Sequence, residues 1–227
     1  MKLHIMTWNC ALYNQPESEK SDEIFGFIKN QLNIENSIVI LQEIPYKEWG
    51  NWKISKIYQA LLNNFPENAY SIKFNIHNNY QIMMTVAITK GANQLNCLNE
   101  SFYPIGTPRN REIAVEYHGI SFLGIHAENG KDNERYLNAI PGKADIILGD
   151  FNAGNYLDSE NRNIFNQILN EHICICNMPT KVTKTRRTCI DHVFIKEDMI
   201  TNCSNLIVHE EMKLSDHFPI TFEYEIK

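Results

Sequence analysis

The sequence of 227 residues lacks long apolar runs and lacks an excess of positive charge. No stretch approaches the roughly 20 apolar residues that a membrane-spanning helix needs, so we expect no membrane insertion. Lysine and arginine total 21 against 27 aspartate and glutamate residues, which gives a formal net charge of −6. Proteins that bind nucleic acid through their overall charge are strongly basic, and this class is therefore excluded. A single local basic groove remains compatible with the composition.

Signals for disulfides and for zinc are also sparse. Met1 leads directly into a patterned segment without an apolar leader, so the six cysteines have no secretory context. A chain of this length can bury about 70–75% of its unfolded surface, and its core needs no cross-links. We therefore expect thiols and a cytoplasmic location. Cys174 and Cys176 form a C-x-C pair that is too short and too isolated for a zinc site, and we interpret both as ordinary strand residues.

The chain shows no internal repeat and no linker rich in proline or glycine, which predicts a single domain over residues 1–227. Short β-branched runs bounded by polar residues predict nine strands, over residues 3–8, 37–41, 83–89, 113–117, 120–125, 145–148, 189–195, 205–208 and 219–224.

Segments with helical spacing lie between these strands. Ser21 is suited to cap a first helix, a second apolar stripe covers residues 57–65, a third covers residues 164–169, and a short fourth begins near Asp132. Each stripe is apolar on one face only, so each helix is expected to cover a sheet from outside. Many strands with few, irregularly placed helices favour two sheets packed face to face over a doubly wound fold.

Polar side chains follow or interrupt six of the apolar runs. Carboxylates that adjoin buried strands are costly unless they are paired or bind a metal, so six such places are difficult to attribute to chance. If these strand ends meet at one rim of the sandwich, they bring together Asn9, Glu43, Asp150, Asn152, Asp191, Asp216, His126 and His217.

This set of side chains has a direct chemical interpretation. Hard divalent cations take carboxylate, amide and water oxygens, and Mg²⁺ usually keeps several waters with only one or two carboxylates. The two histidines then remain for phosphate contact and proton transfer. A cation, carboxylates and histidines together are suited to the attack of water on a phosphoester.

Six short motifs carry these residues in a fixed order, and they span residues 7–219: Thr7-Trp8-Asn9, Leu41-Gln42-Glu43, Gly124-Ile125-His126, Gly149-Asp150-Phe151-Asn152, Ile190-Asp191-His192-Val193-Phe194 and Ser215-Asp216-His217-Phe218-Pro219. This series resembles the ordered motifs of the endonuclease/exonuclease/phosphatase superfamily. The resemblance implies a four-layer α/β/β/α sandwich of two mixed β-sheets with helices on both outer faces, and an enzyme that hydrolyses phosphoesters with Mg²⁺ or Mn²⁺.

The resemblance also implies the metal ligands and the phosphate contacts. Glu43 would be the principal ligand, with Asn9 and Asp216 beside it. Arg111 occupies the position of a phosphate-contacting arginine in the deoxyribonuclease branch. Arg186 belongs to a basic cluster just before Ile190-Asp191, and we expect it to contact substrate phosphate, although basic runs are also common on solvated surfaces.

The remaining matched residues would take part in the chemistry. Asp150 and Asn152 would orient and polarise the attacking water or hold a second metal. Asp191 would pair with His217 and set its tautomer, and His126 would contact the phosphate or help to protonate the leaving group. Either Asp150 or His217 could remove the proton from water, and the sequence leaves this choice open.

The sequence leaves two hypotheses open for the substrate class of such an enzyme. The first is a nuclease or a DNA-repair phosphodiesterase that cleaves phosphodiester bonds by in-line attack of water. The alternative is a phosphatase or phosphodiesterase acting on a small-molecule or lipid phosphoester. A third class is a superfamily member that binds partners without cleaving them, although every expected ligand position is filled. We expect a monomer.

Overall fold

The computed structural model describes residues 1–12, 19–48, 50–76, 81–102, 111–154, 165 and 169–226. The strands in these ranges are, in chain order, β1 (Lys2–Asn9), β2 (Ser37–Pro45), β3 (Tyr70–Phe74), β4 (Met83–Lys90), β5 (Asn96–Cys97), β6 (Glu112–Tyr117), β7 (Ile120–His126), β8 (Ile146–Asp150), β9 (His172–Cys174), β10 (Lys181–Val182), β11 (Arg187–Thr188), β12 (Asp191–Lys196), β13 (Cys203–Val208) and β14 (Ile220–Glu225).

Twelve of these strands form two mixed six-stranded sheets. The first sheet has the order β13-β14-β1-β2-β4-β3 and the second has the order β5-β6-β7-β8-β12-β9, while β10 and β11 form a separate hairpin. Each sheet contains one parallel pair, β1 with β2 and β7 with β8. The buried side chains of Ile5, Ile40, Phe122 and Leu148 belong to one core cluster that both sheets share. The two sheets therefore pack face to face.

The helices cover the outer faces of this pair of sheets. They are α1 (Glu19–Leu32), α2 (Lys56–Asn64), α3 (Asn99–Phe102) and α4 (Asn133–Asn138), with two 3-10 helices over Gly130–Asp132 and Glu197–Asn202. Ile28 of α1 and Leu61 of α2 pack with Val39 on the first sheet. Leu137 of α4 packs with Leu123 on the second sheet. The predicted α/β/β/α sandwich is confirmed.

Some details differ from the sequence-based expectations. The prediction of Ser21 as a helix cap is wrong, because α1 begins two residues earlier and Ser21 lies in its first turn. At α2, by contrast, the Ser55 hydroxyl accepts a hydrogen bond from the Ile57 N–H. Most of the third predicted helix lies outside the described residues, although the Leu169 N–H donates to the carbonyl of Phe165.

The strands that sequence patterns missed are short. They are β3, β5, β9, β10 and β11, and each of them lies at a sheet edge or in the small hairpin. Within the described part of the chain, no helix has both the length and the apolar character that crossing a membrane requires. All six cysteines are present as thiols rather than disulfides.

Candidate active site

Sheet topology brings four of the predicted site residues to one rim. The parallel pairing of β7 with β8 sets His126 opposite Asp150. The antiparallel pairing of β8 with β12 sets Asp191 opposite Asp150 from the other side. Asn9 ends β1 in the first sheet, and its side-chain Nδ2 donates to Asp150 Oδ2 across the interface at 2.8 Å. The hydrogen bond between Asn9 and Asp150 thus links the two sheets at this rim.

A bulge in β2 positions Glu43. Leu41 pairs with Val86 and Ile44 with Met84, so Gln42 and Glu43 together face one residue of β4. Glu43 adopts a left-handed conformation with φ = 56°. Such a conformation is costly for a residue with a side chain, and it is typical of functional sites. The bulge turns the Glu43 carboxylate toward the rim, where Asn9 Nδ2 donates to its Oε1 at 3.2 Å.

Asp150 is held by backbone as well as by side chains. The Asn152 N–H donates to Asp150 Oδ1 at 2.8 Å, which is the turn expected of an Asp-x-Asn sequence. The Asn152 side chain donates to the carbonyl of Ala127. Gly149 has φ = 132°, and a Cβ at this position would lie 2.1 Å from the carbonyl oxygen of Ile125. Only glycine therefore allows the backbone conformation at residue 149 that directs the Asp150 side chain toward the rim.

Asp191 and His217 form a buried pair. His217 Nδ1 donates to the Asp191 carboxylate, with 2.9 Å to each oxygen. The Thr180 hydroxyl donates to Asp191 Oδ2 at 2.7 Å and accepts the N–H of Asp191. Trp8 Nε1 donates to the His217 carbonyl at 3.0 Å. His217 Nε2 then lies 3.8 Å from Asp150 Oδ2.

His126 lies at the end of β7, on the side of Asp150 opposite to β12. Its Nε2 lies 3.4 Å from Glu43 Oε1 and 4.0 Å from Asp150 Oδ2. Arg111 Nη1 lies 3.3 Å from His126 Nδ1. A guanidinium has no acceptor, so Nδ1 must accept and the proton of the neutral ring resides on Nε2. Arg111 also pairs with Glu128 at 3.2 Å.

The surroundings give His126 and His217 different charge states at neutral pH. Burial, followed by the positive charge of Arg111, holds the pKa of His126 well below its usual value, so this ring is neutral. Burial alone would also lower the pKa of His217, but the charge and hydrogen bond of Asp191 outweigh it and raise the pKa to about 9. Burial and the charge of Asp191 raise the pKa of Asp150 to about 6.

A cleft of about 550 Å³ opens beside His217. Its wall includes Glu43, Asp216 and His217, together with Lys20, Lys181 and Lys213. Asp216 lies at the exposed rim rather than within the buried cluster, and Lys181 Nζ lies 3.2 Å from its Oδ2. Arg186 lies in the turn between β10 and β11, where its carbonyl accepts the Thr183 N–H. The structure therefore brings Arg186 to the hairpin tip and Lys181 to the cleft.

The donor set can be compared with the needs of a divalent cation. Glu43, His126 and Asp150 each offer an atom within 4.8 Å of the others, as do Asp150, Asp191 and His217. Glu43 and Asp216 present carboxylates on the wall of one cleft, which fits a hard cation. Asn9 instead uses Oδ1 to accept the Ala11 N–H and turns its Nδ2 toward the carboxylates.

Sequence reasoning missed several contributors to the site. Thr180 is fully buried and supports Asp191, but nothing in its neighbourhood along the chain marks it. Lys20 and Lys213 reach the cleft from segments almost 200 residues apart, so only the fold brings them together. Lys181 was not missed, because it belongs with Lys184, Arg186 and Arg187 to the basic cluster that the sequence places just before Ile190-Asp191.

Comparisons with known proteins agree with this architecture. Residues 124–221 match the family model described as endonuclease-reverse transcriptase. A comparison with curated protein sequences finds no significant match. Among solved structures, the 3′-5′ exonuclease NExo from Neisseria meningitidis is 17% identical with a TM-score of 0.68, and the alignment covers 99% of this chain and 100% of that one.

Two further structures are similar over the same extent, 99% of this chain and 100% of theirs. They are the 3′ phosphatase NExo from Neisseria bound to a product DNA hairpin, 17% identical with a TM-score of 0.66, and an AP endonuclease from Archaeoglobus fulgidus, 14% identical with a TM-score of 0.66. The resemblance carried by the six motifs is thus confirmed, and this chain has the fold of the endonuclease/exonuclease/phosphatase proteins.

Proposed function

We propose that this chain is a divalent-metal-dependent phosphoesterase that cleaves phosphodiester bonds of nucleic acid by in-line attack of water. The observation that carries the proposal is the position of Asp150. Its buried Oδ2 lies within 4.0 Å of Nε2 of both His126 and His217, and Glu43 stands at the open side of the same group. An acidic group flanked by one neutral and one protonated imidazole suits proton transfer during hydrolysis.

Glu43 would hold Mg²⁺ or Mn²⁺, with Asp216 beside it, and Asn9 would orient Glu43 and Asp150 through the hydrogen bonds that its Nδ2 donates to both carboxylates. When bound, the cation would supply positive charge that offsets the negative charge developing on the phosphate. The carboxylates on the cleft wall support this assignment, and oxygen donors favour these two metals over softer ones.

Asp150 is the better candidate for the base. His217 keeps its proton at neutral pH, because Asp191 holds Nδ1 and raises its pKa to about 9. Asp150, with a pKa of about 6, is mostly ionised at neutral pH and can accept a proton from water. Asn152 fixes the carboxylate through its backbone N–H. The protonated His217 would donate to a phosphate oxygen or to the leaving group.

His126 and Arg111 would act as one unit. Arg111 contacts His126 and pairs with Glu128, so its first role is to orient the imidazole. The neutral ring then presents its Nε2–H toward the reacting phosphate, while the guanidinium adds positive potential behind it. Arg186, at the hairpin tip, would contact phosphate only on a substrate long enough to reach it.

A nucleic acid is the favoured substrate. Lys20, Lys181 and Lys213 line the cleft together with Glu43 and Asp216. Lysines beside carboxylates that would hold a cation suit a ligand that carries phosphate groups. The structurally similar proteins named above include an exonuclease, an AP endonuclease and a phosphatase bound to DNA. Within the proposal we assign the protein a role in DNA repair.

The substrate class is tested by a panel of phosphoesters with Mg²⁺ and with Mn²⁺. Supercoiled plasmid, single-stranded and abasic oligonucleotides, a 3′-phosphorylated oligonucleotide and a simple phosphomonoester are incubated with the protein, and products are resolved by electrophoresis and phosphate release. Turnover of a nucleic acid at least 100-fold faster than of the small monoester is the expected result. Efficient turnover of the monoester with no action on any nucleic acid would instead select the small-molecule alternative.

A further inference from the structure

Lys181 and Asp216 form an ion pair on the wall of the cleft. Lys181 Nζ lies 3.2 Å from Asp216 Oδ2, and both residues line the cleft together with Glu43 and His217. Asp216 is one of the two carboxylates that we assign to the divalent cation. The ammonium group of Lys181 therefore binds a carboxylate that the proposed function gives to a metal ion.

Backbone pairing holds Lys181 and Asp216 next to each other. Lys181 forms an antiparallel bridge with His217, and the Val182 N–H donates to the carbonyl of Asp216 at 2.8 Å. These contacts fix the two main chains but not the side chains. Because a lysine carries its charge on a flexible four-carbon stem, the ion pair can open by rotation of the Lys181 side chain while the backbone stays in place.

The charge of Lys181 also acts on the two histidines of the site. After burial, Arg111 and His217, it is a further cause of the low pKa of His126. At His217 it adds to the lowering effect of burial on the pKa, which Asp191 outweighs. Lys181 therefore lies close to the side chains that would face a phosphate bound in the cleft.

The ion pair is weak enough for a cation to replace it. The side chain of Lys181 is 26% exposed and that of Asp216 is 44% exposed, and pairs between partly exposed charges contribute little to stability. A divalent cation carries twice the charge of an ammonium group and binds carboxylate oxygens at shorter distance. It would therefore attract Asp216 more strongly than Lys181 does, and it would repel Lys181.

We propose that Lys181 is a switchable counter-ion, which pairs with Asp216 before a divalent cation binds and with substrate phosphate afterwards. The inference rests on the proposed function, because it requires both a cation and a phosphate group in the cleft. It predicts that the metal and the substrate bind cooperatively. The metal frees Lys181 for the phosphate, and by linkage a substrate that holds Lys181 raises the affinity for the metal by the same factor.

The first arm of the test measures the binding of Mn²⁺ alone, from the electron paramagnetic resonance signal of the free ion. Lys181→Met keeps most of the side-chain volume without the charge, and it should bind Mn²⁺ about two- to five-fold more tightly than the parent chain. Lys181→Arg keeps the ion pair and should bind Mn²⁺ like the parent chain. In an Asp216→Asn background, whose amide oxygen can still coordinate, Lys181→Met should give no gain.

A matched control separates this exchange from a general effect of charge. Lys213 lines the same cleft, but its Nζ lies over the ring of Phe218, 4.7 Å from the centroid. Lys213→Met should therefore change the affinity for Mn²⁺ by the same small factor whether residue 216 is aspartate or asparagine.

The second arm measures binding of a short fluorescein-labelled phosphorothioate oligonucleotide, which resists hydrolysis, by fluorescence anisotropy. Mn²⁺ should lower its Kd with the parent chain, and the factor should be smaller by about two- to five-fold with Lys181→Met. Lys181→Met that binds Mn²⁺ no more tightly than the parent chain would overturn the inference, as would a gain that persists in Asp216→Asn or an equal effect of Mn²⁺ on oligonucleotide binding.

These results also separate the inference from the proposed function. If the parent chain binds Mn²⁺ and cleaves nucleic acid but Lys181→Met changes neither measurement, only the counter-ion exchange is wrong. A parent chain that binds no Mn²⁺ would contradict the proposed function, and the inference would fail with it.

Discussion

His217 Nδ1 lies 2.9 Å from both carboxylate oxygens of Asp191, and the whole contact is buried. This pair determines the charge of the imidazole that faces Asp150. An Asp191→Asn variant removes the negative charge and should lower the pKa of His217 from about 9, because burial is then opposed only by the weaker effect of Asp150. Proton NMR titration of the imidazole should give a pKa near 9 in the parent chain. An unchanged pKa in the variant would show that Asp191 is not the cause.

The same pair predicts how stability depends on pH. The folded pKa of His217 is raised from an unfolded value of 6.5 to about 9. The protonated ring therefore stabilises the folded state fully below pH 6.5, and this contribution is lost as the pH rises through 9. Urea unfolding between pH 6 and 10 should show a decline in the free energy of unfolding that Asp191→Asn lacks. Parallel pH profiles for the two proteins would contradict this.

Thr180 is expected to act as a support for the pair. Thr180→Val keeps the shape but removes the hydroxyl that donates to Asp191 and accepts the N–H groups of Ile190 and Asp191. Leaving these buried groups without partners should reduce the free energy of unfolding by about 1–3 kcal/mol. Thr201→Val, at an exposed site, is the matched control and should stay within about 0.5 kcal/mol. Equal effects of the two substitutions would rule out the supporting role.

Gly149 is predicted to be irreplaceable. In Gly149→Ala the new Cβ would lie 2.1 Å from the carbonyl of Ile125, and the backbone must shift to relieve the clash. We expect a loss of more than about 3 kcal/mol of stability. Gly26→Ala in the middle of α1 meets no atom within 4 Å and should instead stabilise by up to about 1 kcal/mol. Thermal unfolding of both variants provides the comparison, and a neutral Gly149→Ala would contradict the described turn.

Lys181 is predicted to contact substrate phosphate. Lys181→Ala should raise KM for an oligonucleotide and reduce the salt dependence of binding by about one phosphate contact. Lys143 is exposed and precedes β8 at the end opposite Asp150, so Lys143→Ala serves as the control. Steady-state kinetics across a range of salt concentrations measures both. An unchanged salt dependence in Lys181→Ala would remove this residue from the binding surface.

Much of the fold and part of the site could be predicted from the sequence. The central strands are long and apolar, and they end in polar residues, so the convergence of His126, Asp150 and Asp191 followed once the strand order was known. The bulge that turns Glu43 could not be predicted, because an ordinary strand would give the same pattern of residues. The same limit applies to Thr180, since its hydroxyl reaches Asp191 only through the way the chain folds around β12.

Asp216 and Arg186 show a second limit of prediction from sequence, which concerns the exposure of side chains. Both belong to motifs or clusters that indicate function, but short motifs carry no information on side-chain exposure. Asp216 pairs with Lys181 at the rim, and Arg186 lies at a turn. Their local sequence is the same whether they bind metal and phosphate or only form surface contacts, so their positions became visible only in the fold.

Hydrolysis of bis-p-nitrophenyl phosphate by the parent chain and by Asp150→Asn tests the proposed chemistry most directly. Asp132→Asn, a change at the half-exposed residue that precedes α4 and makes no side-chain cap hydrogen bond, is the control. With Mg²⁺ or Mn²⁺ the parent chain and the control should turn over the substrate, and EDTA should abolish this turnover. Asp150→Asn should be slower by about 10²–10⁴-fold, while its melting temperature should stay at or above that of the parent chain. Turnover that survives EDTA, or that is the same in Asp150→Asn, would contradict the proposed chemistry.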